Sequence, residues 1–372
     1  MHYQRKSPYD SSNLMTLIKL FLFSFTFSIT ALSANALVVL QYHHVDEGTP
    51  SSTSISPEQF RQHMQLIEEL GFDVVDLELA TREELAKREE LKNTHKPITS
   101  KQVAISFDDA YASIFTHAYP ELKRRNWPFT LFVNTQAVNE KHTGIMSWQQ
   151  IQTLVDDGVT IANHSLTHAH LPSRPESLTL EQWLTEQVLQ PQQELQQRLG
   201  KVSTMFAYPY GEFTLEMLPW LAERDILAFG QQSGPIGPLS HPQALSRFPA
   251  SGIYADIETL KTKLLSLALP VSPESLQEPV ISPVNNPPQL VLKLLKADYE
   301  PNRLQCFASQ QGAIESQIQQ DEKLIILTTQ APLALSGKRA RYNCTVPSSQ
   351  TERFYWYSQP WQMVPESDKS VN

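Results

Sequence analysis

Val103-Ala104-Ile105-Ser106-Phe107-Asp108-Asp109 runs five largely apolar residues into two adjacent acids. A short apolar run of this kind reads as a strand buried on both faces. Asp108 and Asp109 then fall where the strand ends and a loop begins. An Asp-Asp pair alone is also what a solvated turn or helix cap looks like. The chain downstream changes that reading.

His164-Ser165-Leu166-Thr167-His168 follows a second short apolar run, Val159 to Ala162, with Asn163 between. Two imidazoles four residues apart project to one side of a helical turn or tight loop, where one ion can take both. His170 is two residues beyond His168, a spacing that suits the opposite side, so it is read as facing solvent or backing the others. Two histidines and one of the acids supply three ligands for a divalent ion. The second acid stays free to act on water. A third loop, Ala207-Tyr208-Pro209-Tyr210-Gly211, also follows a strand-like stretch, Ser203 to Phe206. Proline fixes its own backbone and glycine permits close approach, so this loop can hold a backbone N–H against a substrate oxygen.

Ser106-Phe107-Asp108-Asp109, His164-Ser165-Leu166-Thr167-His168-Ala169-His170-Leu171 and Tyr208-Pro209-Tyr210-Gly211, in this order, resemble the successive motifs of the polysaccharide deacetylase (NodB-homology) family. The resemblance covers about residues 37 to 270. It implies an α/β fold, a distorted (β/α) barrel with its chemistry at the C-terminal ends of the strands. It implies a metal triad of Asp109, His164 and His168, with Asp108 as catalytic base. Tyr210 takes the place of the residue whose backbone N–H binds the oxyanion, and Tyr208, Pro209 and Gly211 accompany it at the substrate. The implied substrate is an N-acetylated polysaccharide or oligosaccharide, losing acetate. A His₂Asp site with open positions suits Zn²⁺, with Co²⁺, Ni²⁺ or Fe²⁺ as further candidates.

The chain departs from the family pattern in two places. Many members carry a late Leu-x-His motif after a strand for the catalytic acid; here the lone later histidine, His241 in Leu239-Ser240-His241-Pro242, stands in a Gly/Pro-rich loop rather than after a clear strand. However, Leu37-Val38-Val39-Leu40-Gln41-Tyr42-His43-His44 is an apolar strand ending in histidine, similar to the circularly permuted branch that includes poly-N-acetylglucosamine deacetylases. By that match His43 is the acid, and strand alternation turns His44 the other way. Where the third motif commonly begins with Arg, this chain has Ala207; Arg247, in Leu245-Ser246-Arg247-Phe248, is the candidate to supply the missing charge. Trp148, after Met146-Ser147, is a candidate to stack on a sugar ring.

The N-terminus carries Arg5 and Lys6, an apolar stretch from Leu20 to Leu32, and Ala34-Asn35-Ala36. These are the parts of a secretory signal over residues 1–36, implying a periplasmic or secreted protein with no membrane span after cleavage. The formal charge of −9 argues against nucleic-acid or anionic-lipid partners. No sequence feature speaks to oligomeric state.

Strand and helix signals alternate over residues 37–269, as a (β/α) barrel requires. Ser56-Pro57 opens a helix carrying Phe60, Met64, Ile67 and Leu70 and closing at Gly71. Phe72 to Leu77 reads as a strand, Glu78 to Leu91 as a helix, and Leu180 to Leu199 as a helix bent at Pro191. Six prolines punctuate residues 270–288, which read as an extended linker. Short β-like runs over 289–372 predict a small antiparallel, sandwich-like domain. Both cysteines of the chain, Cys306 and Cys344, lie there, and in an oxidising compartment they are expected to pair. The aromatic run Phe354 to Tyr357 with Trp361 is read mainly as core. The leading functional expectation is a metal-dependent N-deacetylase of an N-acetylhexosamine polymer. The alternative is a catalytically impaired glycan-binding protein of the cell envelope, to which Ala207 and the lack of a late histidine after a clear strand point.

Overall fold

The computed structural model describes residues 36–88, 101–322 and 324–363, with residues 1, 2 and 4 at the chain start. The chain divides into two compact units, Met1–Thr30 and Ala31–Asn372. The first, with the expected secretory signal, lies almost wholly outside the described residues; the second holds the barrel and all of the site motifs. No helix among the described residues is long and apolar enough to cross a membrane.

Ten strands occupy the first part of this second unit: β1 (Leu37–Tyr42), β2 (His44–Val45), β3 (Ser54–Ile55), β4 (Asp73–Val74), β5 (Gln102–Phe107), β6 (Thr130–Val133), β7 (Thr160–Asn163), β8 (Phe206–Ala207), β9 (Ala228–Phe229) and β10 (Phe248–Pro249). Seven form a curled parallel sheet in the order β10-β1-β5-β6-β7-β8-β9, with β4 added beside β5. All six residues of β1 are buried, as are five of the six in β5. Parallel strands covered by helices on both faces have no polar side to show, so they read as unbroken apolar runs. The result is the distorted (β/α) barrel expected from the sequence, and its strand ends carry every site motif.

Local choices in the sequence set the connecting helices. Ser56 caps the helix Pro57–Glu69 in a reciprocal capping box with Gln59, and Ser147 does the same with Gln150 for Trp148–Asp156. The expected strand from Phe72 is cut to two residues because Asp76 caps a helix at Leu77–Ala86, its side chain accepting from the Leu79 N–H. The expected long helix at Leu180 is helical over Leu180–Leu184, widens to a π-helical turn over Thr185–Leu189, and returns to α geometry over Gln190–Leu199. Pro191 has no N–H to donate to the preceding turn, and the wider turn absorbs the defect without a sharp break.

The helix Ile257–Leu264 ends at Leu265, and the chain passes into β11 (Ser266–Ala268). β11 pairs in parallel with a late strand, so it belongs to the second half of the molecule. That half comprises β12 (Gln289–Leu295), β13 (Gln305–Ala308), β14 (Gly312–Ile314), β15 (Ser316–Gln320), β16 (Leu324–Gln330), β17 (Arg339–Pro347) and β18 (Phe354–Gln362). Two sheets, β11-β18-β17-β13-β14 and β12-β16-β15, close on one core that includes Leu292, Leu327, Tyr342, Tyr355 and Trp361. The stretch 270–288, expected as an extended linker, instead packs along these sheets: Val271 and Ile281 are buried, and Ser272 N–H donates to the Lys293 carbonyl. Its prolines interrupt regular structure, but the apolar residues between them give it a surface to bury.

Cys306 and Cys344 face each other across β13 and β17 and are joined by a disulfide. Replacing both with alanine is expected to lower stability in urea unfolding by about 4 kcal/mol, the chain-entropy value for a loop of this size. An unchanged midpoint would show that the bridge constrains nothing.

Candidate metal and catalytic site

The site is assembled from strand ends. β5 delivers Asp108 and Asp109, β7 delivers His164, and β8 runs into the Tyr208–Gly211 turn. Among the described residues, ten non-glycine positions have positive φ, and five of them are Asp109, Ala110, Ser165, His168 and Tyr210. Backbone strain of this kind persists where surrounding contacts over-determine the geometry. Here they do: Ser165 N–H donates to Asn163 Oδ1, His168 N–H to Ser165 Oγ, and Asn134 Nδ2 to the Leu166 carbonyl, each at 2.9 Å. The two histidines therefore converge through a strained loop rather than a helical turn. Gly211 is required by contact, because a Cβ there would lie 2.5 Å from the Gln231 backbone nitrogen.

Asp109, His164 and His168 each present a ligand atom, all within 4.8 Å of one another. Both Nε2 atoms lie 3.3 Å from Asp109 Oδ1. The Nδ1 of His164 is 2.8 Å from the Ala207 carbonyl, which can only accept, so Nδ1 carries a proton and, in the neutral ring, Nε2 carries the lone pair. That Nε2 is fully buried and has no hydrogen-bond partner. A lone pair orphaned in this way, facing a carboxylate, has the chemistry of a cation ligand, so the donor set fits a divalent ion. Burial opposes the Asp109 charge, but His164, with His43 and His168 beside it, outweighs burial and holds the carboxyl far below its usual range. Burial, reinforced by His164, pushes His168 down to about 4 and favours the neutral ring a metal needs.

Asp108 lies behind this triad with no exposed surface. Arg247 Nη1 donates to its Oδ1 at 2.7 Å and Nη2 to its Oδ2 at 2.9 Å, while Gln41 Nε2 donates to Oδ2 at 2.6 Å. Three of the four acceptor positions are filled, and the open one is on Oδ1. Burial alone would raise its pKa; Arg247, followed by His164, overrides this and brings it down to about 2. His43 stands on the other side, its Nε2 4.0 Å from Asp108 Oδ2. The position vacated at Ala207 is thus filled in space by Arg247, a buried guanidinium that also donates through Nε to the Gly230 carbonyl.

A cleft of about 820 Å³ opens over these groups, and His43, Asp109, His168, Tyr210 and Gly211 line it. Tyr208 and Pro209 do not: Tyr208 is buried, its hydroxyl donating to the Gln243 carbonyl, and it serves to hold the turn. Trp148 is also absent from the cleft. It starts a wall helix, donating from Nε1 to Asn139 Oδ1 with the Arg198 guanidinium 4.7 Å from its ring. The cleft aromatics are Tyr111, Tyr210, Tyr254 and Trp361. His170 stacks on Tyr210 with ring centroids 4.1 Å apart and contacts Glu212 at 2.6 Å, so it backs the loop. His44, turned away from His43, stacks on Tyr111. Sequence reasoning missed Gln41, although a polar residue two positions before His43 in an apolar strand shares its face.

Residues 95–226 match the polysaccharide deacetylase family. YxkH of Bacillus subtilis, which carries that family's name, is 27% identical over 219 residues, covering 59% of this chain and 69% of its own. The Escherichia coli K12 poly-beta-1,6-N-acetyl-D-glucosamine N-deacetylase is 24% identical over 147 residues, covering 35% of this chain. The aligned region is 21% of that enzyme's length. Among solved structures, IcaB from Ammonifex degensii superposes with a TM-score of 0.51 at 28% identity, over 62% of this chain and 97% of its own. The Streptococcus pyogenes deacetylase PplD shares the fold, with a TM-score of 0.53 at 20% identity over 62% of this chain and 99% of its own. The motifs stand in order and their residues meet at the strand ends of a matching barrel, so the chain carries a polysaccharide deacetylase domain, matched over residues 95–226.

Proposed function

We propose that the protein hydrolyses N-acetyl groups on an N-acetylhexosamine polymer, with Asp109, His164 and His168 holding a divalent ion, zinc by preference. The observation that carries this reading is the orphaned Nε2 of His164, aimed with His168 at Asp109 beside a second, ionised carboxylate. The ion, when bound, would supply Lewis-acid polarisation of the acetyl carbonyl and of the attacking water. Asp108 accepts the water's proton at its open Oδ1 position as the oxygen attacks the carbonyl carbon. The Tyr210 N–H, presented by a left-handed residue, donates to the developing oxyanion. His43 gives its proton to the departing nitrogen as the C–N bond breaks, leaving acetate and a free amine. Arg247 and Gln41 keep Asp108 ionised and fixed in direction. The basic and apolar N-terminal residues support export to the periplasm or beyond.

Acetate release from N-acetylated chito-oligosaccharides tests this. Activity is expected to vanish with a chelator and return on adding zinc or cobalt. Glycan retention with no acetate under any metal would instead identify a binding protein that has lost turnover.

A further inference from the structure

Part of the cleft's wall comes from the β-sandwich, outside the region matched to the family. Three adjacent cross-strand pairs of β17 and β18, Arg339 with Gln362, Ala340 with Trp361 and Arg341 with Pro360, all reach the cleft. Opposed residues share a face and successive ones alternate, so Arg339, Arg341, Pro360 and Gln362 share the cleft face while Ala340 and Trp361 enter the sandwich core. Gln362 is 3% exposed, and neither its amide oxygen nor its side-chain nitrogen has a hydrogen-bond partner. Ser251, on the barrel side of the same cleft, is 5% exposed with an equally unpartnered hydroxyl. Arg341 donates to Ser233 Oγ at 3.0 Å, and among the described residues no carboxylate lies within ion-pair distance of it. Arg339 donates to the Tyr210 carbonyl at 3.3 Å, tying this wall to the catalytic loop.

Buried polar groups normally find partners, so unpaired ones lining a cleft point to a ligand that supplies them. An anion would satisfy donors alone and leave the Gln362 oxygen unpaired. A donor and an acceptor side by side, with a nearby hydroxyl and guanidinium, match the neighbouring hydroxyls of a sugar ring. We infer that the β17–β18 face is a subsite for the sugar unit flanking the one deacetylated, with Gln362, Ser251 and Arg341 as its contacts, so that the enzyme selects polymer over monosaccharide. This inference rests on the deacetylase reading for its orientation, but the binding it claims is separable from turnover.

The test compares kcat/KM for a linear N-acetylglucosamine tetramer and for the monosaccharide. Wild type is expected to prefer the tetramer, and Arg341→Ala and Gln362→Ala to lower that preference about tenfold, as loss of one or two hydrogen bonds would. Lys293→Ala, exposed on the other sheet, is expected to keep the full preference. An equal loss on both substrates, or an unchanged ratio, overturns the subsite. Thermal melts check folding; should Gln362→Ala unfold, half-buried Arg341 and the variant Arg341→Gln carry the test. Calorimetry with the tetramer reads the subsite without turnover. Weaker binding by the variants supports the subsite even if wild type releases no acetate, and equal binding refutes it.

Discussion

Asp108→Asn is expected to reduce kcat for acetate release by about 10²–10⁴-fold, the usual contribution of a positioned general base. Asparagine keeps the shape of the side chain but removes the charge and the basic oxygen that faces the metal triad. The proposed ligands Asp109, His164 and His168 are untouched, so the metal content measured by elemental analysis should match that of wild type. A second effect accompanies the first. The amide presents one oxygen to a guanidinium that now meets two, at 2.7 and 2.9 Å, leaving Arg247 buried without a counter-charge. Removing one partner of a buried pair costs about 3–5 kcal/mol. Rates are therefore to be compared at a temperature where calorimetry shows the variant folded. Activity within tenfold of wild type would remove Asp108 from the chemistry.

Arg247→Leu should produce the complementary result, a large loss of stability together with a shifted pH profile. The stability loss is again about 3–5 kcal/mol, because the buried Asp108 carboxylate loses its guanidinium partner. In wild type the Asp108 carboxyl titrates at about 2, below its ordinary value, so its charge contributes stability above the unfolded pKa. That contribution is lost only as pH falls through about 2, and the carboxylate is ionised throughout any ordinary assay range. Without Arg247 the burial effect dominates and the pKa moves above the usual carboxylate value. The acid limb of the kcat/KM profile should then move to higher pH. Pairing the two changes, Asp108→Asn with Arg247→Leu, should recover much of the stability and none of the activity. An Arg247→Leu profile that overlays wild type would refute the role given to this residue.

Sequence and structure meet most closely where residue type leaves few options. An unbroken apolar run fits a parallel strand covered on both faces, so the strands leading to Asp108 and from Leu37 were legible from composition. The Asp-Asp pair and the two histidines were legible because their chemistry is unusual at the end of such strands. Arg247 could be nominated because Ala207 lacked a charge, although the contact spans 139 positions. Pairing at that range depends on how the sheet curls, which no local pattern encodes. The same limit hid Arg339 and Arg341, whose arrival at the cleft depends on how the sandwich packs on the barrel. Trp148 was misplaced for a different reason: a capped helix start and a cleft rim look alike in sequence, and Arg198 decided between them. The prolines of 270–288 suggested an extended linker, while Val271 and Ile281 between them anchor the segment.

β11 bears on any attempt to work with the barrel alone. Its backbone leaves the last wall helix and within two residues becomes an edge of the sandwich sheet, hydrogen-bonded along β18. An expression boundary drawn at the end of the family match would discard Arg247, and one drawn after Leu264 would strip the cleft of its cover. The two halves are one working tool, and shortened versions should be judged as damaged enzymes rather than minimal ones.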